Sequence, residues 1–144
     1  MRRERRVKGT QREDNFNMNE NEVSEKIIGA AIEVHRILGP GLLESLYEEA
    51  LCHELHLRGV QFTRQQSVPI PYKGIALGTD LRLDLLVEDK VIIDLKAKES
   101  IVAIDRSKLL TYLRLSDKRL GLIINFHVQQ LRFGIERIAN NLAE

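Results

Sequence analysis

The chain has a single cysteine, Cys52, so no internal disulfide can brace it. One thiol in 144 residues fits a reducing compartment, and a cytoplasmic location is the expectation. Nor is there an apolar run near the ~20 residues needed to cross a bilayer, so no membrane partner is expected. The opening MRRERRVKGTQRED carries positive charge without the apolar stretch of a secretory signal behind it. Internal repeats and low-complexity segments are absent too. Charge of one sign is not in excess, with a net of +1. The balance is uneven, however. Residues 1–13 hold Arg2, Arg3, Arg5, Arg6, Lys8 and Arg12 against Glu4 and Glu13, which leaves 16 bases against 19 acids in the remainder. A basic arm can bind phosphates by counterion release, or it can be a solvated tail. The mildly acidic remainder argues against tight, non-specific nucleic-acid binding.

What is present suffices for one globular domain with its own core. Residues 1–19 lack periodicity and are expected to form a disordered basic arm, with a single domain over 20–144. From Glu20 to Leu38 apolar residues recur at helical spacing (Val23, Ile27, Ala30 or Ala31, Val34, Leu38), and Gly39-Pro40-Gly41 ends that helix. His35 lies within it as a surface or boundary residue. A second helix is expected from Leu42 to Arg58. At about 100° per residue, Leu43, Leu46, Tyr47, Ala50, Leu51 and Leu57 make one broad face with Glu44 at its edge. Spacing alone favours Glu44 as a first-turn acid suited to the helix dipole. Cys52, His53 and His56 fall on the polar side and complete no zinc set.

Gln61 to Ile75, interrupted by Pro69, Pro71 and Gly74, reads as an edge strand. Asp80 reads as a turn residue, with a reserve role as a ligand. Asp105 is expected to cap a helix reaching Ser116, with Lys108 and Tyr112 four apart on one face. LGLIINF, residues 120–126, is a strand buried on both faces. Leu131, Ile135, Ile138 and Leu142 suggest a final amphipathic helix. The expected fold is α/β (α+β), a small mixed sheet flanked by helices in the order α-α-β-β-β-α-β-α.

The centre of this arrangement is RLDLLVEDKVIIDLKAK, residues 82–98. Alternation with period two marks two strands, and Glu88-Asp89-Lys90 separates them. A three-residue loop pairs 87 with 91 and 86 with 92, and sets Asp84 opposite Asp94 on the face that also carries Lys96. Opposed residues have Cβ atoms about 4.5–5.5 Å apart. Two carboxylates that close repel unless a cation lies between them or one keeps its proton. The pair with a lysine beside it is a candidate cradle for a divalent metal and an activated water. The carboxylates are expected to face the helix that carries Glu44. A plainer alternative makes Asp84 and Lys96 a diagonal ion pair.

Gly41-Leu42-Leu43-Glu44-Ser45-Leu46-Tyr47, with the surrounding IIGAAIEVHRILGPGLLESLYEEAL, the DLLVEDKVIIDLKA hairpin and LGLIINF, resembles the GxxExxY proteins, a prokaryotic family of the PD-(D/E)XK nuclease superfamily. The likeness covers roughly residues 23 to 140. It implies a restriction-endonuclease-like core in which Asp84 is the first acid, Asp94 and Lys96 the (D/E)xK pair, and Glu44 an acid from the first core helix. By the same likeness the Leu95 carbonyl is a further metal ligand. One departure stands out: relatives often carry glutamine where Lys108 precedes Tyr112.

The implied activity is metal-dependent hydrolysis of phosphodiester bonds in nucleic acid, DNA ahead of RNA. Asp84, Asp94 and Glu44 would hold Mg²⁺ or Mn²⁺, hard cations that prefer oxygen. Lys96 would serve the attacking water, and Lys108, Tyr112 and Arg82 would contact phosphate. The alternative is a catalytically inactive nuclease fold that acts as a nucleic-acid-binding or scaffold module. So small a domain offers little surface to enclose a duplex, so a homodimer or a protein partner is expected.

Overall fold

A computed structural model describes residues 18–143. The basic stretch 1–17 of the expected arm lies outside the described residues. Met18 and Asn19 do not behave as an arm. Met18 is buried in the core, and Asn19 caps the first helix, α1 (Glu20–Leu38), by accepting from the Glu22 N–H at 2.9 Å while Glu22 reaches back to the Asn19 N–H. Val23, Ile27, Ala30, Ala31 and Val34 form the buried stripe of α1, as the spacing predicts.

The second helix, α2 (Glu44–Leu57), buries Tyr47, Leu51, Cys52 and Leu55. This narrows the broad face expected from the sequence, because Leu43, Leu46 and Leu57 are exposed. Cys52 sits among the core residues instead of on the polar side, and burial pushes its thiol up to about 11, where it is inert at neutral pH.

The strands are β1 (Phe62–Val68), β2 (Pro71–Tyr72), β3 (Ile75–Ala76), β4 (Leu81–Val87) and β5 (Val91–Lys96), followed by helix α3 (Ala103–Ser116) and strands β6 (Leu120–Asn125) and β7 (Ile135–Ala139). The main sheet has the order β1-β4-β5-β6-β7, and β2 with β3 forms a separate two-stranded hairpin. β5 and β6 are parallel, joined through α3. The other pairs are antiparallel. Asp105 acts from the third position of α3, accepting the Val102 N–H at 2.9 Å, so the helix begins two residues before the expected cap.

Two expected elements are corrected. The edge strand expected over residues 61–75 ends at Val68, and Pro71–Tyr72 with Ile75–Ala76 forms the separate hairpin. The final amphipathic helix does not form. Leu131–Phe133 make a single 3₁₀ turn, and Ile135–Ala139 run as a strand against β6. The spacing of Leu131, Ile135 and Ile138 suits a helix, but β6 would otherwise present an open edge. The chain joins that edge at Gly134, whose carbonyl accepts the Asn125 N–H at 2.7 Å. A Cβ at Gly134 would fall 2.2 Å from the Asn125 carbonyl oxygen, so glycine permits the approach.

The central strands β4, β5 and β6 are buried on both faces. Leu85, Val87, Ile93, Leu95, Leu122 and Ile124 pack with α1 and α2 in the larger cluster. Leu86, Ile92 and Ile123 pack with Leu109 and Leu113 of α3 in the smaller one.

Candidate active site at the open end of the β4–β5 hairpin

The loop end of this hairpin is regular. Val87 pairs with Val91, Leu86 with Ile92 and Leu85 with Ile93, the register given by a three-residue loop. Glu88 and Asp89 turn the chain with φ of 51° and 55°. Beyond Leu85 and Ile93 the pairing stops. Asp84 turns one carboxylate oxygen onto the Leu95 N–H at 2.8 Å. The strands part at the point where two opposed carboxylates would have met.

Asp84 and Asp94 line one cleft together with Arg82, Leu83, Lys108 and Tyr112. Its volume of about 20 Å³ admits a water or a bare ion but no nucleotide, so a polymer would have to lie across its mouth. Lys108 and Tyr112 of α3 wall this cleft, and Glu44 and Glu48 of α2 come close enough for their charges to act on Asp84. Alternation breaks at this point of β4: Leu85 and Val87 belong to the larger cluster, but Leu83 packs in the smaller one with Leu109 and Leu113.

Asp94 is buried. Its Oδ1 lies 3.3 Å from Lys96 Nζ. Its Oδ2 has no hydrogen-bond partner, the one such buried side-chain atom among the described residues. Lys96 thus pairs along its own strand rather than diagonally with Asp84. Burial works to lower the Lys96 pKa, but the charge and hydrogen bond of Asp94, with Asp105 and Glu44 farther off, outweigh it and hold the ammonium above its ordinary value. Lys96 is a cation at neutral pH.

Burial pushes Asp84 up to about 6; the Leu95 N–H opposes this, and the charges of Asp94, Glu44 and Glu48 add to it. Glu44, exposed on the first turn of α2, is also raised, first by desolvation, with Lys96 pulling it down and Asp94 pushing it up. It feels the cleft without lining it. Among the described residues no three His, Cys, Asp or Glu side chains gather closely enough to enclose an ion. The structure brings Asp84, Asp94, Lys108, Tyr112 and Arg82 together in the cleft, with Lys96 and Glu44 beside it.

The position of Glu44 has a visible cause. Tyr47 is fully buried and stacks on Phe126 with ring centroids 4.5 Å apart. Its hydroxyl donates to the Gly39 carbonyl at 2.5 Å and accepts the Leu42 N–H at 3.1 Å. Gly41 turns the chain with φ of 102°. Gly41 and Tyr47 together clamp the loop that leads into Glu44.

Of the cleft residues, Lys108 is exposed with its ammonium 5.4 Å from the Tyr112 ring centroid, while that ring packs partly against the smaller cluster. Arg82 donates to the Gln65 carbonyl at 3.4 Å and makes no ion pair with Asp94. Sequence reasoning missed Asn125. Buried at the end of β6, its side chain donates to the Lys98 carbonyl at 2.8 Å and accepts the Lys98 and His127 N–H groups, each at 3.2 Å. It fixes the backbone just past Lys96. A polar residue closing an apolar run was the one available signal. Lys98 in turn lies 2.5 Å from Asp105, and its hydrogen bond, with that of the Val102 N–H, holds the Asp105 carboxyl below the usual range.

A mixed sheet whose central hairpin opens onto acids and a lysine, with helices on both faces, is the framework of a nuclease-type domain. Comparison with protein-family models matches residues 21–138 to the PD-(D/E)XK nuclease superfamily, and the chain belongs to it. No curated protein and no solved structure matches significantly. Nucleases of this superfamily generally use divalent metals, and membership implies a nucleic-acid substrate. The residues present suit such an ion. The donors are all oxygen, and the unpartnered Asp94 Oδ2 is a buried acceptor that only a cation or a donor can satisfy. Among the described residues no helix is long and apolar enough to cross a membrane.

Proposed function

We propose that this protein is a GxxExxY-type nuclease that hydrolyses phosphodiester bonds of nucleic acid, DNA ahead of RNA, with Mg²⁺ or Mn²⁺. The observation that carries the reading is the buried, unpartnered Asp94 Oδ2 in a cleft shared with Asp84 and bordered by Lys96. Asp94 and Asp84 would hold the ion, with Glu44 and the Leu95 carbonyl completing the oxygen set. A bound divalent ion supplies a more acidic water and offsets negative charge at phosphorus.

The residues of the chain do the rest. Asp84 keeps one oxygen on the Leu95 N–H, which locks the direction of the other. Lys96 stays protonated beside Asp94 and so orients the attacking water and steadies the negative charge that develops on the phosphoryl oxygens. Lys108 and Arg82, at the mouth, meet the flanking phosphates as point charge and fork respectively. Tyr112 bears the Lys108 ammonium over its ring and keeps it near the cleft. Lys108, where glutamine is common among relatives, trades a neutral contact for a phosphate-binding one.

The test is cleavage of plasmid, single-stranded DNA and RNA with Mn²⁺ or Mg²⁺, comparing wild type with Lys96→Ala. Metal-dependent cutting that Lys96→Ala abolishes supports the reading. No cutting of any substrate across metals and pH, with retained binding, would instead favour an inactive binding module.

A further inference from the structure

The β2–β3 hairpin has no role in the chemistry above. It leaves the main sheet between Val68 and Leu81, which are register partners at the end where β5 finishes, so it projects from the same end as Asp84, Asp94 and Lys96. Its own pairing sets Pro71 opposite Ala76 and Tyr72 opposite Ile75, and the Leu77 N–H donates to the Ile70 carbonyl at 2.9 Å. Lys73 and Gly74 have φ of 48° and 88°, the two left-handed residues of a type I′ turn. The hairpin is therefore a defined structure.

Cross-strand pairing puts Tyr72 beside Ile75 on one face, and Ile70 with Leu77 extends that face. Among the described residues nothing covers it: Tyr72 is 57% exposed, Ile75 62% and Leu77 41%, and none belongs to either core cluster. An uncovered apolar face on a small domain marks a contact surface.

Charge indicates the occupant. From Val60 to Thr79 there is no Asp or Glu, although the rest of the folded domain is acidic on balance. Lys73 stands at the tip with its ammonium 5.5 Å from the Tyr72 ring centroid. Arg82 and Lys108 continue the positive charge from the hairpin base into the cleft. An exposed ring and a cation without acids beside them suit a base and its phosphate.

We propose that this hairpin is a base-stacking arm, with Tyr72 against an unpaired base and Lys73 on a neighbouring phosphate of single-stranded nucleic acid. The proposal rests on the nuclease reading and deepens it by naming an unpaired segment as the substrate form. Tyr72 lies four residues past Val68, about 13 Å at ~3.3 Å per residue. At ~3.4 Å per stacked nucleotide, the contacted base lies within about four nucleotides of the sheet end.

The experiment uses full-length protein in EDTA with a fluorescein-labelled 20-nucleotide single-stranded DNA, and a second oligonucleotide carrying 2-aminopurine. Tyr72→Ala is expected to weaken binding about 5- to 150-fold, the range for loss of one base–aromatic stack. Tyr72→Phe should restore binding and the quenching of 2-aminopurine. Lys73→Ala should reduce the dependence of log affinity on log salt by about one contact's worth. Unchanged affinity in Tyr72→Ala with retained melting temperature overturns the proposal. So does absence of single-strand binding by wild type, or a dimer in sedimentation that Ile75→Asp dissociates without affecting DNA binding. The two readings fail separately. Wild type that cuts with a KM insensitive to Tyr72→Ala removes only the arm. Wild type that binds through Tyr72 but never cuts removes only the catalysis.

Discussion

The two ends of the β4–β5 hairpin are built from one alternating sequence and behave in opposite ways. At the loop end, three successive pairs close the ladder and their side chains are buried on both faces. At the open end, the pairing lapses after Leu85 and Ile93, a carboxylate takes a backbone N–H, and a buried oxygen is left with no partner. The first end is optimised for packing. The second holds two neighbouring carboxylates, offset only in part by the Lys96 ammonium, and a burial penalty on Asp84. Stability and chemistry thus meet at adjacent residues on each strand, Leu85 beside Asp84 and Ile93 beside Asp94, and mutations should divide along the same line.

The largest expected effect lies at the loop end. Ile93→Ala removes a fully buried side chain and should cost about 2–5 kcal/mol of stability by chemical denaturation. Asp94→Ala, one residue on, removes the unpartnered oxygen but also the partner of Lys96, so its metal-free cost should be well below that of Ile93→Ala. If the two variants destabilise equally, the contrast is wrong. Next in size is Lys96→Ala, where loss of a charge aimed at the reacting phosphate should slow cleavage about 10²–10³-fold, roughly 3–4 kcal/mol of barrier. The fold should remain intact by melting temperature.

A smaller effect tests the electrostatics directly. Asp84 rises from 3.8 to about 6 on folding. A raised carboxyl contributes its stability while protonated, below its unfolded pKa, and loses it as pH climbs through the folded value. Asp84→Asn keeps an acceptor for the Leu95 N–H without the charge. In EDTA it should melt level with wild type at pH 4 and above it at pH 8, by about 1–2 kcal/mol after allowance for partial exposure. In Mn²⁺ the order should reverse, because ligand linkage stabilises only the intact site. Smallest is Tyr47→Phe, which keeps the stacked ring and loses the two loop hydrogen bonds, for about 1 kcal/mol in thermal melts. A change in metal response beyond that cost would show that the loop clamp also positions Glu44.

Much of this was legible in the chain. The loop register of the hairpin followed from keeping Leu85, Val87, Val91, Ile93 and Leu95 on one side, which a one-residue slip would have scattered. Asp84, Asp94, Lys96, Lys108, Tyr112 and Arg82 were all named from the sequence and meet in or beside one cleft. The exposure of Leu43, Leu46 and Leu57 was not legible. Periodicity defines a stripe but not how wide a helix its neighbour will cover, and Tyr47, Leu51 and Leu55 took the contact. Nor was β7, because the spacing of Leu131, Ile135 and Ile138 satisfies a helix as well as it tolerates a strand.

By itself the sequence determined the local choices: period two around Asp84 and Asp94, helical period in α1, and glycines where the chain must turn left-handed. Tertiary structure alone decided that β6 would recruit Ile135–Ala139 and that Glu44 would stand beside the cleft instead of in it. It also decided that Asp84 would leave Asp94 for the Leu95 N–H. Each of these depends on an edge, a face or a charge supplied by residues distant in the chain, and no local pattern carries that information.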